Sequence, residues 1–219
     1  MKYPRSLERD AELLDSIGAH LVFAPTPEEM YSPEEMNETF SFDFGGLDQV
    51  MEGKMRPGHF NGVVQVVSRL FYLVKPDRAY FGEKDFQQLA IIHFMVEHSV
   101  LAGTFGDLKI IGCPIVREQS GLALSSRNER LSADEKQTAL AISRTLFQSL
   151  EWAKEPGATV ARVQQRVIDT INAVAELEVE YYEIVDQSSL LPTDTFRHAI
   201  GCVTVYCGQV RLIDNIKYE

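Results

Sequence analysis

Gly82-Glu83-Lys84-Asp85 stands between two apolar runs, Arg78-Ala79-Tyr80-Phe81 before it and Leu89 to Met95 after it. The first run reads as the end of a short strand and the second as one face of a helix, so the polar residues occupy a strand-to-helix turn. Open α/β sheets bind ligands where strand ends meet helix N-termini, because free backbone N–H groups and the helix dipole favour anions there. Lys84 in that position suits a phosphate, Asp85 a ribose hydroxyl or a metal, and Gly82 the close approach of a ligand to the backbone. Gln88 lies one helical turn beyond Lys84 and shares its face, whereas Gln87 points elsewhere. The same residues also make an ordinary polar turn with Asp85 as N-cap. The turn by itself does not choose between these readings.

Two further segments carry polar side chains at close spacing. Glu52-Gly53-Lys54-Met55-Arg56-Pro57-Gly58-His59-Phe60-Asn61-Gly62-Val63 precedes the turn, and Gly121-Leu122-Ala123-Leu124-Ser125-Ser126-Arg127-Asn128 follows it. Glu52 and Arg56 stand four apart, the spacing of a helical ion pair, although Pro57 limits any helix there. Ser125, Ser126 and Arg127 form a polar knot, which is also a good helix-leading turn.

In order and approximate spacing, the three segments resemble the pantothenate synthetase family, ligases that join pantoate to β-alanine at the expense of ATP. The resemblance runs from Tyr3-Pro4-Arg5 to Arg211-Leu212-Ile213-Asp214-Asn215. It implies that pantoate attacks the α-phosphate of ATP to give pantoyl adenylate and pyrophosphate, and that the β-alanine amine then displaces AMP to give pantothenate. It also implies roles. Lys84 would stabilise phosphate, Gly82 and Asp85 would bind ribose, and Val116 would offer backbone groups to adenine. Gln88 would hydrogen-bond pantoate, while Glu52, Arg56 and His59 would line or support the pantoate and β-alanine end. The Ser125-Ser126-Arg127 loop would act as the lysine-serine loop does in the class I aminoacyl-tRNA synthetase superfamily. Its hydroxyls and the planar Arg127 fork would hold the β- and γ-phosphates. Magnesium would ride on the ATP phosphates and not in a protein cage, with no separate protein metal site.

In that family the chain opens with a strand and a Met-Gly-x-Leu-His-x-Gly-His loop whose histidines hold ATP phosphates, followed by an Asn-Pro-x-Gln-Phe segment for pantoate. Neither occurs in these 219 residues, and the five histidines include no pair at that spacing. The chain therefore resembles the last three quarters of a family member, and alone it is expected to be inactive or weak. A related nucleotidyltransferase fragment, or a nucleotide-binding module without ligase activity, is the alternative expectation.

The net charge of −11 and pI near 5.0 argue against nucleic acid, since lysines and arginines are scattered singly. No apolar stretch approaches the roughly 18 to 20 residues of a membrane span, and Met1 to Ser6 lacks a signal-peptide apolar core. A cytoplasmic protein acting on small molecules is expected, and the resemblance allows a homodimer. Cys113, Cys202 and Cys207 sit in apolar runs and read as buried reduced thiols.

Helical spacing is present over Ser6 to Ile17, His59 to Leu73 and Phe86 to Glu97. A helix with a Ser132/Glu135 capping box covers Ser132 to Trp152, and another covers Thr159 to Ala175. A short helix is expected from Gly46 or Leu47 to Gly53. Strands are expected at His20 to Ala24, Phe40 to Phe44, around Tyr80, Lys109 to Val116, Val179 to Asp186, Ala199 to Cys207 and Gln209 to Ile216. The alternation of strands and helices up to about Val116 predicts an α/β, Rossmann-like parallel sheet, incomplete and of the nucleotidyltransferase superfamily type. A smaller α+β C-terminal lid domain follows. The expected domains are 1–116, the remainder of the nucleotide-binding domain, and 117–219.

Overall fold

A computed structural model describes residues 7–37, 40–98 and 101–218; the Tyr3-Pro4-Arg5 segment lies outside them. The chain divides into two compact units, residues 1–39 and 40–219. The first contains α1 (Leu7–Ser16), α2 (Pro27–Met30) and α3 (Pro33–Asn37). Gly18 follows α1 at φ +83, and Thr26 caps α2 through a reciprocal capping box with Glu29. His20 to Ala24 is not a strand. It runs without a ladder partner among the described residues, and Leu21 is 84% exposed. An apolar run becomes a strand only where a neighbouring backbone pairs with it.

The second unit holds two sheets. Its α/β part contains α4 (Met51–Met55), α5 (His59–Val74), β1 (Arg78–Gly82), α6 (Phe86–Glu97) and β2 (Lys109–Cys113). β1 and β2 pair in parallel with Arg78 opposite Lys109 and Gly82 opposite Cys113. Pro114 ends β2 short of the expected Val116, because proline offers no ladder donor. Phe40 to Phe44 keeps the predicted alternation, with Phe42 and Phe44 buried, but it forms no strand. The Phe42 N–H donates to the Asn61 side-chain carbonyl, so a side chain does the work of a ladder. The expected short helix starts later than Leu47, at Met51, after a run of turns. Pro57 stops α4, and Gly58 at φ +79 turns the chain into α5. A β-carbon would strain that left-handed backbone. The reversal sets Arg56 and His59 on one side of the turn, and both line the cleft described below.

The C-terminal part contains α7 (Ala133–Trp152), α8 (Val160–Asn172), β3 (Leu177–Asp186), β4 (Ala199–Cys207) and β5 (Val210–Lys217). Ser132 and Glu135 form the expected capping box at the start of α7. The three strands make an antiparallel sheet in the order β3-β4-β5. α7 and α8 cover one face, burying Leu146, Val167, Ile171, Val203 and Leu212 in one core. A separate core lies among α5, α6, β1 and β2, centred on Val64, Ile91, Ile92 and Met95. A third, small cluster of Met51, Val185, Leu190, Ile200 and Cys202 ties α4 to the antiparallel sheet.

Two irregularities aim side chains. β3 shifts register between Val179 and Tyr181, which makes Glu180 an extra residue opposite β4. Such a bulge re-aims neighbours that would otherwise face opposite sides. In β5, Leu212 and Ile216 face the helical core, which leaves Arg211, Ile213, Asn215 and Lys217 on the other face. Cys202 and Cys207 are buried as expected; Cys113 is only half-buried, at the end of β2 where pairing stops.

Candidate active site

The strand-to-helix turn after β1 opens on a cleft with a cavity volume of about 50 Å³. Lys84, Asp85, Gln88, Glu52, Arg56, His59 and Arg127 all line it, so most of the expected site residues converge from three segments. The turn itself is a single 3-10 turn over Glu83–Asp85 leading into α6. Asp85 occupies the N-cap position of α6 but makes no side-chain capping bond. Its carboxylate instead lies 3.6 Å from the Lys84 ammonium. Gly82 precedes the turn at an ordinary φ, and a β-carbon there would meet nothing within 4 Å. Among the described residues, no atom demands a glycine at that position.

The remaining expected residues lie off the cleft lining. Ser125 caps a 3-10 turn over Ser126–Arg130, its hydroxyl accepting from the Arg127 N–H at 3.2 Å, and Ser126 is exposed. The hydroxyl of Ser125 thus holds the backbone of Arg127 while the guanidinium reaches the cleft and donates to the Arg211 carbonyl at 3.1 Å. Val116 is an exposed loop residue whose carbonyl accepts from the Leu124 N–H.

Glu52 is the best-partnered acid in the cleft. The Arg211 fork donates to both of its oxygens, Arg56 to one at 3.4 Å, and the hydroxyls of Tyr181 and Thr204 to the other at 3.4 and 3.3 Å. Arg211 also pairs with Glu180 through two of its nitrogens, and Glu180 accepts from Tyr206. Burial pushes the Glu52 carboxyl up, but Arg211 and Arg56 outweigh it and hold the group below the usual carboxylate range. For Arg211, burial disfavours the charge, yet Glu52 and Glu180 leave it more firmly protonated than an ordinary arginine. Burial, with Arg56 beside it, lowers His59 against the opposing pull of Glu52 and Asp85. Its imidazole is therefore neutral at neutral pH. Cys202 also lines the cleft, but burial pushes its thiol up to about 12, so it stays protonated and unreactive.

The cleft lies at a parallel-strand end, where open α/β sheets bind ligands, with a lysine-aspartate turn and an arginine from the following loop on its walls. Residues 1–217 match the family described as Pantoate-beta-alanine ligase. The chain belongs to the pantoate–β-alanine ligase family. A pantothenate synthetase of Phocaeicola vulgatus is 56% identical over 221 residues, covering 100% of this chain and 75% of that protein. Among solved structures, the pantothenate synthetase of Thermus thermophilus superposes with a TM-score of 0.90 at 42% identity, covering 100% of this chain and 77% of that one. The pantoate–β-alanine ligase of Francisella tularensis, solved in complex with beta-gamma ATP and beta-alanine, gives a TM-score of 0.71 at 29% identity over 98% of this chain and 71% of that one. The α/β fold with a parallel sheet and a separate antiparallel sheet is the fold of these ligases.

Sequence reasoning missed the contribution of the C-terminal sheet to this ligase-family cleft. Tyr181, Glu180, Thr204, Arg211 and Asn215 all reach toward it, more than a hundred residues after Glu52. A signal was nevertheless present. Arg211, Asp214 and Asn215 interrupt an apolar strand, and buried polar side chains in a strand need partners. Asp214 finds Arg117 in a bidentate pair at 2.7 and 2.9 Å.

Proposed function

We propose that this chain carries the nucleotide, pantoate and β-alanine machinery of an ATP-dependent, AMP-forming ligase making pantothenate. The observation that supports it most directly is the single cleft joining Lys84, Asp85 and Gln88 to Arg56, His59 and Arg127 in a chain of this family. In the first step the pantoate carboxylate attacks the α-phosphorus of ATP and pyrophosphate leaves. In the second, the β-alanine amine attacks the acyl carbon, AMP leaves, and the amine gives up a proton. Charge grows on phosphate oxygens in both steps, so catalysis rests on positioning and positive charge.

Lys84 and Arg127 are the cations we assign to the phosphates. Arg127 forms no ion pair with a carboxylate among the described residues, so its fork is available for bidentate contact. Gly82 and Asp85 are assigned to the ribose, Val116 to the adenine, Ser125 and Ser126 to the outer phosphates, and Gln88 to pantoate. Glu52, Arg56 and His59 are assigned to the pantoate and β-alanine end. Magnesium enters with the ATP phosphates. The proposal includes a cytoplasmic setting; among the described residues no helix is long and apolar enough to cross a membrane. It also keeps a functional division at 116/117, supported by the change from a parallel to an antiparallel sheet across that point.

The test is pyrophosphate release from ATP with pantoate, by these 219 residues alone and with an added polypeptide bearing a His-x-Gly-His loop. The expected result is at most a trace alone and recovery with the addition. ATP binding without pyrophosphate release in either arm would overturn the ligase reading in favour of a nucleotide-binding module.

A further inference from the structure

The face of β5 that looks toward the cleft carries Asn215, which is 4% exposed. Its amide nitrogen donates to the carbonyls of Glu83 at 2.8 Å and Lys84 at 3.0 Å. Carbonyls only accept, so the NH2 end of the side chain must face them and both of its protons are used. These two carbonyls belong to the peptide planes on either side of the Lys84 α-carbon. Holding both planes fixes φ and ψ of Lys84, and with them the direction in which its side chain leaves the backbone. The Lys84 carbonyl also precedes the N-cap of α6, outside the helical ladder, so Asn215 supplies a partner that the helix does not. Two residues along the same face, the Lys217 ammonium pairs with Glu83 at 2.8 Å and secures the turn from its other end.

We infer that Asn215 is the positioning residue for Lys84: the C-terminal sheet, through one buried amide, sets the aim of the lysine in the cleft. The inference rests on the reading above that Lys84 meets ATP phosphates. It assigns the Asp214-Asn215 end of the strand a part in nucleotide recognition that no local motif around Lys84 contains. Asn215 acts through the backbone of Lys84, whose two flanking carbonyls it holds.

The experiment is calorimetric titration of ATP and of adenosine into the wild-type chain and the variants Asn215→Ser, Asn215→Asp, Lys84→Ala and Asn215→Ser/Lys84→Ala, with a melting curve for each. Asn215→Ser keeps one donor and a small side chain, so it carries the test if Asn215→Asp does not fold. The expected result is a loss of ATP affinity of about fivefold or more in Asn215→Ser, because Lys84 loses its fixed aim, with adenosine affinity held within about twofold. Lys84→Ala should lower ATP affinity at least as far, and adding Asn215→Ser to it should change nothing more, since the two act as one unit. Equal losses for ATP and adenosine, or losses that add in full across the double variant, would overturn the inference while leaving the ligase reading intact. Failure of the wild-type chain to bind ATP would overturn both.

Discussion

Glu52 brings a negative charge into a cleft that is proposed to receive phosphates, and its side chain is only 13% exposed. Unneutralised, it would repel that ligand and compete for Arg127. Arg211 and Arg56 hold it instead, with Arg211 spanning Glu52 and Glu180 at once. Removing Arg211 leaves two largely buried carboxylates without their main partner, which costs far more than the pair itself contributes. Arg211→Gln should therefore lower stability by about 3 kcal/mol or more at neutral pH, measured by urea unfolding. The pH dependence has a definite sign. Glu52 titrates below its ordinary value of 4.5 when folded, so as pH falls the unfolded chain binds the proton first. The contribution of Glu52 is complete above about pH 4.5 and is lost as pH drops through the lower folded value. Glu52→Gln should flatten that acid limb and leave the slope above about pH 5 unchanged. An acid limb identical to wild type would show that the carboxylate carries none of the dependence.

Between elements, Gln87 does for α4 what Asn215 does for the Lys84 turn. Its side chain, 5% exposed, donates to the carbonyls of Leu47 at 2.7 Å and Val50 at 2.9 Å, and accepts from the Gly53 N–H at 3.4 Å. One side chain on α6 thus closes the irregular run that leads into α4, where Glu52 sits. Gln87→Ala would remove three hydrogen bonds, with the Val50 carbonyl keeping only its bond from the Lys54 N–H, and should cost about 2–4 kcal/mol; a melting temperature equal to wild type would contradict this bridge. The contrast between Gln87 and Gln88 shows what could be read from the chain. Helical spacing set Gln88 apart from Gln87, because that periodicity is local, yet both residues line the cleft. The partners of Gln87 lie some forty residues upstream and leave no local trace. Helix ends were legible because their signals are local: Ser132 with Glu135, and Pro57, act within a turn of themselves. Strands at 20–24 and 40–44 failed because pairing is a property of two segments, and alternation describes only one. The cleft was half legible. Lys84, Arg56 and Arg127 stood in recognisable local patterns, whereas Glu180 and Tyr181 join the Arg211–Glu52 network together only because β3 bulges between Val179 and Tyr181.

In the 40–219 unit as a whole, the two sheets are covered very differently. The antiparallel sheet is sealed by α7 and α8, and β4 is buried along nearly its full length. The parallel pair is not: β1 alternates between exposed and half-buried residues, Tyr80 is 60% exposed, and α5 shows Val66, Tyr72, Leu73 and Val74 to solvent. Parallel strands are ordinarily buried on both faces, and β1 pairs with β2 alone among the described residues. Exposed apolar surface of this kind favours association with other chains. The chain should therefore self-associate as its concentration rises, through α5 and β1 and not through the C-terminal sheet. Val66→Ser with Val74→Ser should reduce light scattering at high concentration and shift stability by no more than about 0.5 kcal/mol per site, as expected for surface positions. Equivalent polar substitutions at Leu124 and Leu191, exposed outside α5 and β1, should leave the scattering unchanged. If they suppress it equally, the uncovered face of the parallel pair is not where the chains meet.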